Sequence, residues 1–225
     1  VTKQINCCLS DIGANAIKIG MMHNSELING VYEALKYNEI IVNKKINIVL
    51  DPVMVAKGGH RLLQEEAIYS LKNFIKMTNP VLTPNIPEAE ILTGIKINNL
   101  SDMKTAGEKM IDLGANFVVL KGGHMNKPII SDILIGEEVL DQIETKKIET
   151  NNTHGTGCTM ASALAAGLAK SFDIKEAFQK AMAGLANRNL SNAYPEWWVK
   201  LLYYSHPPIG ERLAFAENYA LPETN

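Results

Sequence analysis

Ile46-Asn47-Ile48-Val49-Leu50-Asp51-Pro52-Val53-Met54 is the stretch from which the rest of the chain is best read. Five residues, four of them apolar, end at an acid and a proline, which is how a buried strand closes into a loop. The strand predicted over Ile46 to Asp51 delivers the Asp51 carboxylate to the carboxyl edge of a sheet. Similar short Val- and Ile-rich runs recur at Ala16 to Ile19, Val81 to Thr83 and Phe117 to Lys121, alternating with longer amphipathic stretches. That alternation is the sequence form of βαβ units around a mainly parallel sheet, so the expected fold is α/β. The first helix is expected from Ser25 to Tyr37, with Leu27, Val31 and Leu35 on one face. A second takes Ser101 as N-cap, aligns Met103, Ala106, Met110 and Leu113, and stops at Gly114. Ile130 to Ile135 and Gln142 to Glu149 read as an antiparallel edge hairpin. Asn151 to Gly157 has turn composition, and Thr159 to Lys170 is an Ala- and Ser-dense helix able to lie close to the sheet or a ligand.

The 225 residues carry 22 Lys+Arg against 24 Asp+Glu, with 46% hydrophobic residues and a net charge of -2. This balance excludes a disordered tail and, a local basic patch aside, gives no electrostatic reason to collect nucleic acid or anionic lipid. A small-molecule partner is expected. A chain of this length buries about 70% of its unfolded surface, enough for a core without metal or disulfide staples. Cys7, Cys8 and Cys158 make no disulfide framework, and no apolar run approaches the roughly 18 residues of a membrane span, so a reducing cytoplasm is the expected location. Composition shifts after about Gly184, beyond which lie both tryptophans, four of seven tyrosines and four of nine prolines.

Several groups able to handle phosphate fall at junctions on one predicted sheet edge. Thr153-His154-Gly155-Thr156-Gly157-Cys158 runs into a helix, where two glycines expose backbone N–H groups and the dipole favours an anion. The same residues also suit a glycine-rich helix entry without ligand. Cys158, in the first turn, is either a thiolate base or nucleophile or a small buried apolar residue. His154 either orients a phosphate or caps the helix. Lys121-Gly122-Gly123-His124 follows a strand, so Lys121 reaches a phosphate oxygen or stays a solvated lysine of a βα turn. Asn85-Ile86-Pro87-Glu88 brings an amide and a carboxylate to a helix start, with Pro87 suited to the first helical position and Glu88 either a metal ligand or a complement to the dipole. Two carboxylates for Mg²⁺, a lysine and an anion cradle together suit phosphoryl transfer, which needs charge neutralisation and positioning. No Walker A loop is present.

On Lys18-Ile19-Gly20-Met21, Leu50-Asp51-Pro52-Val53-Met54, Leu82-Thr83-Pro84-Asn85-Ile86-Pro87-Glu88-Ala89, Leu120-Lys121-Gly122-Gly123-His124 and Asn152-Thr153-His154-Gly155-Thr156-Gly157-Cys158, residues 1–183 resemble the ribokinase-like superfamily, and within it the hydroxymethylpyrimidine/phosphomethylpyrimidine kinases. The resemblance implies ATP-dependent phosphorylation of 4-amino-5-hydroxymethyl-2-methylpyrimidine and then of its monophosphate, with Mg²⁺. It places Cys158 at the catalytic base, where many superfamily members have an aspartate, and Gly155, Thr156 and Gly157 in the anion hole. Asp51 and Glu88 would hold Mg²⁺ directly or through water, with Asn85 in support. Lys121, Gly123, Thr153 and His154 would bind nucleotide, and Met21 would lie near the pyrimidine. A homodimer is expected. A pyridoxal or pyridoxine kinase is the alternative on the same scaffold.

Two departures from that pattern carry expectations of their own. The chain opens at Val1 and its first glycine is Gly13, so the opening strand and Gly-rich segment of the family, roughly a quarter of the fold, are expected to be missing and a sheet edge left uncovered. Within residues 184–225, the stretch from Leu185 to Arg212, with Ser205-His206-Pro207-Pro208, resembles the tail of CAAX-prenyl-type zinc endopeptidases, yet the chain has no His-Glu-x-x-His motif, so the tail brings no protease site and His206 reads as a loop residue. A non-catalytic truncated or chimeric remnant is the reading from a different class.

Overall fold

The computed structural model describes residues 1–43, 46–54, 63, 65–123, 129–137, 140–146 and 156–189. The chain divides into two units, Val1–Ala183 and Gly184–Asn225. Of the second, only residues 184–189 are described, and Ser205 to Pro208 lie outside the described residues.

Among the described residues six strands form one sheet in the order β1-β2-β3-β4-β5-β6. β1 (Ala16–Ile19), β2 (Asn47–Leu50), β3 (Val81–Leu82) and β4 (Phe117–Leu120) run parallel, and β5 (Ile129–Ile135) and β6 (Leu140–Lys146) close the sheet as an antiparallel pair. The α/β class and the edge hairpin are as the sequence predicts. Strand residues alternate between the two faces of the sheet. Ile48, Leu50, Leu82, Val118, Leu120, Ile133 and Ile135 enter one core with α2 (Ser25–Tyr37), α4 (Glu65–Thr78) and α6 (Leu100–Asp112). Their neighbours Val49, Val81, Val119 and Leu134 are also buried, on the other face, where α7 (Thr156–Ala169) lies against β1 and β2. Burial on both faces is what turns these strands into nearly unbroken apolar runs. At Gly167 of α7 a Cβ would come 3.0 Å from the Ala177 Cβ of α8 (Ile174–Asn189), so the small residues of these helices let them pack closely. Among the described residues β1 has a strand on one side only.

Four local expectations are corrected. Ser25 does not begin the first helix: α1 (Thr2–Asp11) precedes it and packs on α2, with Ile5 and Leu9 partly buried. Ser101 does not cap α6. Asn99 does, its Oδ1 accepting the Asp102 N–H at 3.0 Å while Asp102 Oδ2 accepts the Asn98 N–H at 2.8 Å, a reciprocal arrangement that starts the helix at Leu100. The helix ends at Asp112 with Leu113 as its C-cap, and Gly114 follows with φ +115°, donating its N–H to the Ile111 carbonyl at 2.8 Å. Pro87 is the second, not the first, helical residue of α5 (Ile86–Thr93), because Asn85 is the N-cap. Finally, α7 begins at Thr156 rather than Thr159, which draws Thr156, Gly157 and Cys158 into its first turn. The short α3 (Ile40–Asn43) completes the elements, and no described helix is long and apolar enough to cross a membrane.

Candidate active site

The carboxyl ends of the parallel strands meet along one edge. The Asp51 N–H donates to the Ile19 carbonyl at 2.9 Å, Thr83 N–H to Leu50 at 3.0 Å, and Lys121 N–H to Pro84 at 3.0 Å. Backbone ladders therefore carry four sequence-distant loops to one place, the position where open α/β sheets bind ligands.

Lys121 stands at the centre. Its Nζ donates to Asp51 Oδ1 at 3.0 Å, and the same oxygen accepts the Thr83 hydroxyl at 3.2 Å. The pair is largely out of water, with side-chain exposures of 16% for Lys121 and 3% for Asp51. A Cβ on Gly157 would lie 3.2 Å from the same Nζ, so the ammonium rests against the first turn of α7. A cation and a helix N-terminus thus point at the same space, and both favour an anion.

Glu88 lies behind them, 3% exposed. Burial pushes its carboxyl up to about 7, against the pull of the Asn85 N–H, the Lys121 ammonium and the Met54 N–H, while the Asp51 charge adds to the rise. Its Oε2 accepts the Asn85 N–H at 2.8 Å and Asn85 Oδ1 accepts the Glu88 N–H at 2.9 Å, a complete capping box. Glu88 and Asn85 therefore both serve α5 as caps, with Glu88 within electrostatic reach of the Asp51–Lys121 pair. Among the described residues no group of three or more His, Cys, Asp or Glu forms a closed metal cage. Two buried carboxylates are nonetheless the donor chemistry that suits Mg²⁺, which binds through one or two carboxylates together with phosphate oxygens and water.

The structure brings together Asp51, Asn85, Glu88, Lys121 and Gly157. Met21, 51% exposed beside the buried Met22, follows β1 on the same edge. Gly123 is exposed just beyond Lys121. Cys158 is exposed in the first turn of α7, so it is not the small buried residue that its type alone allowed. Thr153, His154, Gly155 and His124 lie outside the described residues. The sequence reading missed Thr83 and Asp132. Asp132, in β5, is buried, and its Oδ1 accepts the Gly122 N–H at 2.8 Å. Burial raises its carboxyl above the ordinary range, opposed by that N–H and by Lys121. An acid among the apolar residues of Ile129 to Ile135 was the available signal.

The mostly parallel sheet with its antiparallel edge pair and this carboxyl-end site define the ribokinase-like class. A solved phosphomethylpyrimidine kinase from Clostridium difficile superposes with a TM-score of 0.71 at 36% identity, covering 84% of this chain and 74% of that one. A pyridoxal kinase from Bacillus subtilis, solved as an ADP complex, gives 0.70 at 31% identity over 80% of this chain and 66% of its own. The family profile described as phosphomethylpyrimidine kinase matches residues 1–193, and the chain belongs to that family. Among curated relatives, the hydroxymethylpyrimidine/phosphomethylpyrimidine kinase of Bacillus subtilis is 41% identical over 80% of this chain, and that of Aquifex aeolicus 39% over 80%. The chain spans 65% and 69% of their respective lengths.

Proposed function

We propose that the unit formed by residues 1–183 transfers the γ-phosphoryl group of ATP to the hydroxymethyl group of 4-amino-5-hydroxymethyl-2-methylpyrimidine, and then to the resulting monophosphate. The single observation that carries this reading is the Lys121 ammonium held between Asp51 Oδ1 and Gly157 at the start of α7. A phosphate entering there would meet the ammonium and the α7 N–H groups of Thr156 and Gly157, and in this reading Thr153, His154 and Gly155 also contribute to binding it. Gly123 would give its oxygens a close backbone approach. Asp51 and Glu88, supported by Asn85, would hold Mg²⁺, which when bound supplies positive charge to the phosphates. Met21 would offer an apolar surface to the pyrimidine ring.

The substrate oxygen would attack the γ-phosphorus as its proton passes to the Cys158 sulfur acting as base; the bond to the β–γ bridging oxygen breaks and ADP leaves. The lysine and the helix terminus carry most of the burden, since transferring a phosphoryl group depends on placing charge rather than on covalent help from the protein. Residues 184–225 receive no catalytic role in this reading.

The test is ADP formation from ATP with the pyrimidine and with its monophosphate, comparing the chain with Cys158→Ala. Loss of a general base lowers turnover by about 10²- to 10⁴-fold; equal turnover would remove Cys158 from the base role. Pyridoxal is assayed in parallel, because pyridoxal kinases are among the solved structures that this chain resembles at 31% identity or more. Absence of ADP formation with all three substrates, and of any melting shift on adding Mg-ATP, would favour a non-catalytic remnant.

A further inference from the structure

Asp132 is a buried acid with no part in the reaction just described. The β4–β5 register pairs Leu120 with Ile133, so the next residues outward, Lys121 and Asp132, face each other across the strand pair. Leu120 and Ile133 enter the core on one face, which by strand alternation sets Lys121 and Asp132 on the other. Asp132 Oδ1 accepts the Gly122 N–H at 2.8 Å. The contact is tight around it: a Cβ on Gly122 would come within 2.1 Å of the Ser131 carbonyl oxygen, so the turn after β4 and the backbone of β5 touch without space for a side chain. The Asp132 carboxyl also interacts with the Lys121 ammonium.

We propose that Asp132 is a positioning residue: by binding the Gly122 N–H across the β4–β5 pair, it fixes the turn that holds the Lys121 ammonium against Asp51 and the first turn of α7. A buried acceptor on the backbone one residue beyond Lys121 restricts where that side chain starts. Without it the Gly122-Gly123 turn has two glycines of backbone freedom directly after the phosphate-facing lysine. The consequence for nucleotide rests on the reading of Lys121 as a phosphate contact; the consequence for the lysine itself does not.

The experiment therefore reads the lysine first. The ligand-free chain is acetylated with an N-hydroxysuccinimide ester, and labelling of Lys121 is followed by peptide mass spectrometry relative to the exposed Lys96. Asp132→Leu, similar in volume but without an acceptor, is expected to raise relative Lys121 labelling about five-fold, the size of one lost hydrogen bond. Asp132→Asn, whose amide oxygen still accepts the Gly122 N–H, stays close to wild type. Should the Leu variant not fold, Asp132→Ser, polar but too short to reach Gly122, takes its place with the same expected rise. A folded Leu or Ser variant with unchanged Lys121 labelling overturns the proposal. In a second arm, Mg-ATP affinity falls about ten-fold in the acceptor-free variant and is rescued by Asn. A wild-type chain that binds no nucleotide counts against the kinase reading, while the labelling comparison still decides Asp132.

Discussion

Replacing Lys121 with methionine should destabilise the fold and not only remove a phosphate contact. The change keeps the length of the side chain and deletes the charge, leaving Asp51, whose side chain is 3% exposed, with a buried negative charge. Stranding one partner of a buried ion pair costs about 3–5 kcal/mol. Two features favour the lower end: the lysine is 16% exposed, so the pair is not fully dry, and the Thr83 hydroxyl still donates to Asp51 Oδ1. We therefore expect about 3 kcal/mol, which for a unit of this size lowers Tm by about 6–12 °C. The assay is thermal unfolding followed by circular dichroism, without nucleotide and with a chelator present. The same scan on Asp51→Asn/Lys121→Met tests the cause, because removing both charges should recover most of the loss. A Lys121→Met midpoint within about 2 °C of wild type, or a double variant no more stable than the single, would refute the argument that this pair is buried and mutually compensating.

Three further outcomes follow from the geometry. Glu88 has its folded carboxyl raised from 4.5 to about 7, so its protonation stabilises the metal-free fold below 4.5 and that contribution is lost as pH rises towards 7; in chelator, Glu88→Gln should flatten this decline, worth about 3 kcal/mol over the window, and an unchanged pH profile would contradict the shift. Asn99→Ala should cost about 1 kcal/mol in denaturant unfolding and Ser101→Ala close to none, the reverse of what capping by Ser101 requires. Gly122→Ala should cost about 1–3 kcal/mol, because its Cβ would overlap the Ser131 carbonyl and the backbone has to shift; a midpoint equal to wild type would show that the close approach is absent.

Much of the architecture is written locally. The Ala16–Ile19 strand and the Ser25–Tyr37 helix fall at the residues their patterns indicate, since each is long enough or apolar enough to carry its own period. α1 escapes because it buries no residue fully: only Ile5 and Leu9 press on the core, too few to register as a stripe. The α6 cap was misplaced since Asn98, Asn99 and Ser101 all have suitable side chains, and the choice lies in which one the backbone lets reach an N–H. Within the site, Asp51, Glu88 and Lys121 stand out because each follows a strand or opens a helix. Asp132 and Thr83 do not, since their partners, Gly122 and Asp51, lie just past the ends of other strands, 10 and 32 residues away. What local sequence lacks is the pairing of strands, and those two side chains acquire their meaning only there.

The placement of α7 has a kinetic meaning as well. Its first turn faces Lys121, yet the helix lies against β1 and β2, so residues 156–169 dock on strands at residues 16–19 and 47–50, far away in the sequence. Such a contact closes a long loop, and contacts of this kind are expected to form late because their entropy must be spent before the contact returns anything. The phosphate-facing corner is then expected to be roofed late in folding. An anion held there would act as a clamp on the final step of refolding, slowing the reopening of α7 more than it speeds the earlier assembly of β1 to β4.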